Sequence, residues 1–237
     1  MKLSARLQMN ADLVPLGSRI ADIGCDHGFV SIYLAEERIC DRILALDIRE
    51  GPLSAARRNI AAAGLSDRIE CRLSDGLEKL RPGEADTLLM SGMGGRLVCS
   101  ILNRRKEILA ETETLVLQPQ SDVEEVRRQL TAMGFQIEEE RCCRDGGKWY
   151  AAIRAVRSDE VRNCTGAEYR YGWILPQRQD PVYYSYLLEE REKAERVAGE
   201  LERQTTTGAA AGLIRQRHTL ALLSETLSLY QRADENR

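Results

Sequence analysis

Ala21-Asp22-Ile23-Gly24-Cys25-Asp26-His27-Gly28 is the stretch on which the reading of this chain turns. The short apolar run Arg19–Ile23 leads into it, and a helical pattern over Phe29–Glu37 leads out. Glycine at such a strand-to-helix turn lets the backbone pass tightly against a ligand, because it lacks a Cβ and tolerates positive φ. A dinucleotide site has the same grammar, and so does a tight turn with no ligand. The loop departs from Gly-x-Gly-x-x-Gly, however, by placing Asp26 where the middle glycine would admit pyrophosphate, and a carboxylate there repels two phosphates.

Outward from this loop, β-rich apolar runs alternate with helical patterns up to residue 157. The strands read as Arg19–Ile23, Arg42–Asp47, Ile69–Leu73, Ala85–Ser91, Thr114–Gln118, Gln136–Arg141 and Trp149–Val156. Helices are predicted over Phe29–Glu37, Gly51–Ala63, Gly95–Asn103 and Val123–Met133, with Asp122 as N-cap of the last and Gly64 and Gly134 as stops. Alternation of this kind predicts an α/β fold with a parallel, Rossmann-like sheet. The last two strands are separated only by Asp145-Gly146-Gly147, so the seven-strand sheet is predicted to close on an antiparallel hairpin.

After Val156 the pattern becomes a polar connector containing arginines and then two long helices, about Pro181–Gln204 and Ala209–Gln231. Leu187, Ala194 and Leu201 on the first and Leu213, Leu220 and Leu227 on the second recur at heptad spacing, widened by Ala198, Leu223 and Tyr230. They predict a coiled-coil-like antiparallel hairpin that buries its own seam. The domains are therefore drawn as 1–160, Rossmann-like, and 161–237, a small α-helical unit.

Composition bounds the rest. Among 237 residues, 34 basic and 37 acidic side chains give a net charge of −3, so the chain lacks the overall basic footprint of a non-specific nucleic-acid binder. Arg141 to Arg178 nevertheless holds eight basic residues against four acidic ones, an arrangement that suits either a phosphate patch or scattered solvated arginines. The seven cysteines are irregularly spaced and the two histidines, His27 and His218, lie far apart, so free thiols and no metal site are expected. The Met-Lys-Leu-Ser opening lacks the apolar run of a signal peptide and no stretch approaches the roughly 18 apolar residues of a membrane span, which predicts a cytoplasmic location and no membrane partner. A monomer is expected.

Further acids and glycines fall at successive strand ends. Asp47 stands 25 residues after Asp22, where such folds accept hydrogen bonds from ribose hydroxyls, and Asp75-Gly76 follows the third strand. Ser91-Gly92-Met93-Gly94-Gly95 ends the fourth strand, and Gln118-Pro119-Gln120, with side-chain amides suited to a base edge, ends the fifth. All converge on the carboxyl edge of the sheet, the usual ligand crevice. Acids near Asp22 and Asp26 oppose a nicotinamide dinucleotide but attract a cation such as S-adenosylmethionine, which carries a sulfonium and an ammonium group.

Together with the opening Leu3-Ser4-x-Arg6-Leu7 and the helical hairpin, these motifs resemble the TrmK family of bacterial tRNA (adenine(22)-N(1))-methyltransferases over nearly the whole chain. The sequence departs from the family's usual Ser at Cys25, its Ala-Tyr-Leu-Pro around Gly28-Phe29-Val30-Ser31, and its Asn at Gln120. The resemblance implies a class I methyltransferase fold, S-adenosylmethionine as cofactor and tRNA as partner. Cofactor contacts are expected at Asp22, Gly24, Asp26, His27, Gly28, Asp47, Asp75, Gly76, Ser91, Gly92 and Met93. Substrate contacts are expected at Arg6, Gly94, Gly95, Arg154 and Arg157. Catalytic roles fall to Asp26, His27, Gln118 and Gln120. Asp26 and His27 either stabilise or deprotonate the product base, or merely orient the cofactor and cap the loop. The rival readings are a methyltransferase for a small metabolite or a protein, and a non-catalytic RNA-binding protein on the same fold.

Overall fold

The computed structural model describes residues 1–160 and 162–234, with the side chains of 231–234 excepted. The chain forms two compact units, divided between Arg162 and Asn163.

The first unit is a seven-stranded sheet in the order β3-β2-β1-β4-β5-β7-β6. Its strands are β1 (Arg19–Ile23), β2 (Arg42–Asp47), β3 (Ile69–Leu73), β4 (Thr87–Gly94), β5 (Thr114–Ser121), β6 (Phe135–Asp145) and β7 (Lys148–Arg157). The first five run parallel, and β7 lies antiparallel between β5 and β6. Strand order reverses at β1, which has β2 on one side and β4 on the other, and this opens a crevice at the carboxyl ends. Thr87 to Met90 and Thr114 to Pro119 are buried residue after residue, as befits central strands covered on both faces.

Helices α1 (Ala5–Ala11), α2 (Phe29–Glu36) and α3 (Glu50–Ala62) contribute Met9, Leu34 and Ile60 to one core cluster with Ile20, Ile43, Leu89 and Val116 of the sheet. Helices α4 (Gly95–Arg104), α5 (Lys106–Ala110) and α6 (Val123–Ala132) complete the unit. Helix α1 has no counterpart among the elements predicted from sequence. Its seven residues are too few for a clear period, and its start is fixed by Ser4, whose hydroxyl accepts from the Leu7 amide. The N-cap of α6 is the expected Asp122, in a left-handed conformation (φ 50°), but its carboxylate makes no cap bond. It instead accepts from Ser121 Oγ at 2.8 Å and pairs with Arg96 at 3.3 Å.

In the second unit the expected polar connector holds two short helices, α7 (Gly166–Tyr171) and α8 (Ile174–Gln177). A capping box between Thr165 and Glu168 starts α7, while Tyr171, Trp173, Ile174 and Leu175 are buried. Helices α9 (Pro181–Glu202) and α10 (Thr207–Asp234) follow. Asp180 caps α9 by accepting from Tyr183 N at 2.7 Å, with Pro181 in the first turn. Leu187, Ala194 and Ala198 bury against the face of α10 that carries Leu223, Leu227 and Tyr230. Leu201, Leu213 and Leu220 are only half-buried, and near the turn between the helices buried Ala209 and Gly212 take over the seam, Gly212 lying close against Leu201.

Candidate functional site

The carboxyl ends of β1 to β4 surround a cavity of about 400 Å³, within the range of about 300–1,000 Å³ common for small-molecule sites. Gly24 N and Cys25 N donate to Leu46 O at 2.8 and 2.9 Å, which folds the loop after β1 across the end of β2. Gly24 has φ 74°, and a Cβ there would lie 2.3 Å from Met93 Cε, so the glycine admits the β4 end to the cavity wall. Gly28 is different. It caps α2 and packs toward Ala56 of α3, so it shapes the loop without lining the cavity.

Four carboxylates line this space: Asp22, Asp26, Asp47 and Asp75. Asp22 is 3% exposed and accepts from Ser31 Oγ at 2.6 Å. Burial, with a smaller contribution from the charge of Asp47, pushes its pKa up to about 6 despite that hydrogen bond. Asp47 is also buried, and it accepts from the amides of Asp26 at 3.2 Å and Arg49 at 2.9 Å. Asp26 sits at φ 51° with an exposed carboxylate, 3.7 Å from His27 Nε2 and 4.0 Å from Arg49. The His27 ring stacks on Phe29 at a centroid distance of 5.6 Å. Asp75 pairs with Arg104 at 3.1 Å, and Gly76 leaves room for Ile101.

The cavity continues to the ends of β4 and β5, where Arg6, Ser91, Gly92, Met93 and Gln120 line it. The β4–β5 ladder shifts register between Ser91 and Met93, leaving Gly92 out of step at φ 76°. A Cβ on Gly92 would stand 3.1 Å from Arg6 Nη1 and 3.4 Å from Gln120 Nε2.

Several expected site residues lie elsewhere. Gln118 is fully buried and faces Arg6 rather than open space, accepting from Arg6 Nη1 at 2.9 Å. Gly94 and Gly95 do not line the cavity. A Cβ on Gly95 would come within 2.4 Å of Ser121 O, so this glycine permits close packing of α4 against the β5 end. Arg154 pairs in register with Val116 in the amino half of β5, and Arg157 N donates to Glu113 O just before that strand, both toward the opposite rim from the cavity. Arg154 is bound to Glu138 and Glu139, while Arg157 donates to the carbonyls of Leu109 and Met133 and covers the Phe135 ring. Antiparallel β7 carries its late residues away from the carboxyl edge, a consequence of topology that local charge counting does not see.

Conversely, Arg49, Phe29, Ile48 and Leu97 line the cavity without having been expected there. Arg49 follows Asp47 by two residues and was within reach of a motif reading. Exposure of Phe29, Ile48 and Leu97 leaves apolar surface at the cavity, but their residue types alone match ordinary core positions. Among the described residues no group of histidine, cysteine or acidic side chains is arranged to hold a metal.

The family described as "Methyltransferase domain" matches residues 3–153. The tRNA (adenine(22)-N(1))-methyltransferase of Bacillus subtilis is 33% identical over 175 residues, covering 74% of each chain. The crystal structure of the B. subtilis M1A22 tRNA methyltransferase TrmK has a TM-score of 0.85 at 29% identity, covering 95% of this chain and 98% of the other. A Streptococcus pneumoniae protein solved in complex with S-adenosyl-L-methionine has a TM-score of 0.85 at 28% identity, covering 95% and 100%.

Proposed function

Because the chain belongs to the tRNA (adenine(22)-N(1))-methyltransferase family, we infer that it transfers a methyl group from S-adenosylmethionine to N1 of an adenine in tRNA, at the position-22 type of site. The observation that carries this reading is the convergence of four carboxylates on one cavity that also opens at a glycine-bearing rim at the end of β4, away from those acids. An anionic lining suits a ligand with an ammonium and a sulfonium group and opposes a pyrophosphate, and Gly24 leaves room for Met93 in the wall. The residues present therefore fit this cofactor.

Asp22, Asp26, Asp47 and Asp75, with the backbone at Gly24, His27 and Gly76, are proposed to hold the cofactor, which supplies an electrophilic methyl group. Ser91, Gly92, Met93 and Gln120 are proposed to form the wall that receives the base. Adenine N1 is nucleophilic without prior deprotonation, so the principal contribution of the protein is alignment, worth about 7–11 kcal/mol where reactants are well placed. The methylated base is cationic, and Asp26 with His27 is proposed to stabilise that charge or take up a proton from the exocyclic amine. N1 is engaged in paired RNA, so the target must be unstacked or lie in an accessible part of the folded molecule. Residues 161–237 are proposed as a helical RNA-engaging domain appended to a catalytic domain over 1–160. A tRNA substrate suits a cytoplasmic enzyme, and the reading takes the working form as a metal-free monomer.

Unmodified tRNA incubated with purified protein and methyl-labelled cofactor, followed by nucleoside analysis, tests the assignment. One equivalent of 1-methyladenosine is expected, abolished when the target adenosine is replaced by guanosine. Label in protein or small molecules, with none in tRNA, would overturn it.

A further inference from the structure

The cavity has an electrical polarity. Its floor is acidic, and Arg49, the other arginine lining it, is engaged with Asp26 and Asp47. Arg6 stands at the β4–β5 end, half-buried, and among the described residues no carboxylate pairs with its guanidinium. Asp145 accepts from the backbone N–H of Arg6 at 3.1 Å and so anchors the start of α1; its charge also acts on the guanidinium, but from beyond ion-pair distance.

The guanidinium is nonetheless held in place from three strands. Nη1 donates to Gln118 Oε1 of β5 at 2.9 Å and approaches Ser91 Oγ of β4 at 3.5 Å, while the Tyr150 ring of β7 lies 5.5 Å from Cζ. Asn10, one α1 turn further on, donates to the same Ser91 hydroxyl at 2.5 Å, which fixes the second end of the bracket. The groups in direct contact with the guanidinium, Gln118, Ser91 and Tyr150, are neutral. They restrain the side chain through Nη1 and a ring face, and Nε and Nη2 have no acceptor among the described residues. A half-buried cation restrained by neutral groups, with hydrogen-bond donors to spare, is a preformed seat for an anion. The planar fork of a guanidinium matches phosphate oxygens in particular.

We propose that Arg6 binds the backbone phosphate flanking the target adenosine, and that buried Gln118 serves as the bracket that presents Arg6 rather than as a contact to the base. This rests on the tRNA reading above. A nucleotide turned into the cavity brings its own flanking phosphates to the rim, and the acids on the floor repel them from the cofactor end. The electrostatic gradient therefore orients the nucleotide, base inward and phosphate at Arg6. Arg154 and Arg157, bound in ion pairs and carbonyl contacts toward the other rim, are not placed to do this.

Arg6→Gln and Arg6→Lys separate the possibilities. With tRNA, kcat/KM of R6Q is expected to fall at least thirtyfold. Its log–log salt dependence should become shallower by about 0.7–0.9, the increment for one phosphate contact. R6K should keep the salt slope while losing part of the rate, and S-adenosylmethionine affinity measured by calorimetry should change less than threefold in both. A fall in rate with the salt slope unchanged would assign Arg6 to the base edge and overturn the proposal, as would lost cofactor affinity or unaltered kinetics. Should R6Q not fold, wild-type protein with tRNA carrying a methylphosphonate at either linkage flanking the target adenosine gives the same reading. One neutral linkage is expected to reproduce the loss, and two full-rate substrates would overturn the idea. Wild-type protein inactive on unmodified tRNA would instead sink the functional assignment, leaving the two failures distinct.

Discussion

Asp22 is the residue where stability and function pull in opposite directions. A carboxyl whose folded pKa is about 6, against about 3.9 in an unfolded chain, binds its proton more tightly in the native state. Between those two values the folded chain holds more protons than the unfolded one, so stability falls as pH rises through the window. A difference of about two units corresponds to about 3 kcal/mol lost by pH 7 in the absence of a ligand. Asp22→Asn keeps an acceptor for Ser31 Oγ and is expected to raise the melting temperature of the ligand-free protein at pH 7.5, with a smaller gain at pH 5. The same change should weaken S-adenosylmethionine at least tenfold. In the parent, affinity for that cation should climb as pH passes 6, and a flat calorimetric profile from pH 5 to 7.5 would contradict the role. Gly92 makes the complementary case at the acceptor end. Alanine there must adopt φ 76° and sits 3.1 Å from Arg6 Nη1. Left-handed strain costs about 1–2 kcal/mol. G92A is expected to lower turnover at least tenfold while cofactor affinity changes less than threefold, a split readable by pairing steady-state kinetics with calorimetry.

Elements differ in how openly they declare themselves. β1 and β2 fall where their apolar runs predict, because a strand covered on both faces needs a near-continuous apolar stretch, while edge strand β3 alternates apolar with charged residues and is bounded by Asp and Gly turns. β4 and β5 continue beyond Ser91 and Gln118 to Gly94 and Ser121, since pairing past the bulge is decided by the partner strand and leaves no trace in either sequence alone. The acidic half of the site was legible because Asp22, Asp47 and Asp75 each stand at or just past the carboxyl end of a strand. Asn10 and the bracket around Arg6 were not, because they depend on contacts across 81 to 144 residues of chain, from Asn10–Ser91 to Arg6–Tyr150. Another such long-range device joins α6 to β6. Arg127 Nη2 lies 2.8 Å from Glu140 Oε1, with both side chains almost fully buried. Removing one partner of a buried ion pair typically costs about 3–5 kcal/mol, whereas replacing both with apolar residues is often neutral. Arg127→Leu should therefore lower the urea midpoint sharply, and the double variant R127L/E140L should recover most of the loss. Equal destabilisation of the single and double variants would mean that Arg127 acts through its packing.

At the scale of the molecule, the chain forms two compact units, and only one of them holds the cavity. The sheet unit contains every residue lining the cavity, and its core is built from its own helices and strands. The helical unit buries Leu187, Ala194, Leu223 and Leu227 in a hairpin seam of its own. Cofactor binding should accordingly depend on the first unit alone. Folded tRNA presents phosphates over distances that a single crevice does not span, so productive docking should draw on both units. A chain ending at Arg162 is expected to keep a cooperative thermal transition and to bind S-adenosylmethionine within threefold of the parent. Its kcat/KM on tRNA should fall at least a hundredfold, through KM more than through the single-turnover rate at saturating RNA. Adding the separate 163–237 segment in trans should restore little, because only covalent linkage keeps the local concentration of the second binding surface high. A truncated chain with full activity on tRNA would confine substrate recognition to the sheet unit and leave the helical hairpin without a part in catalysis.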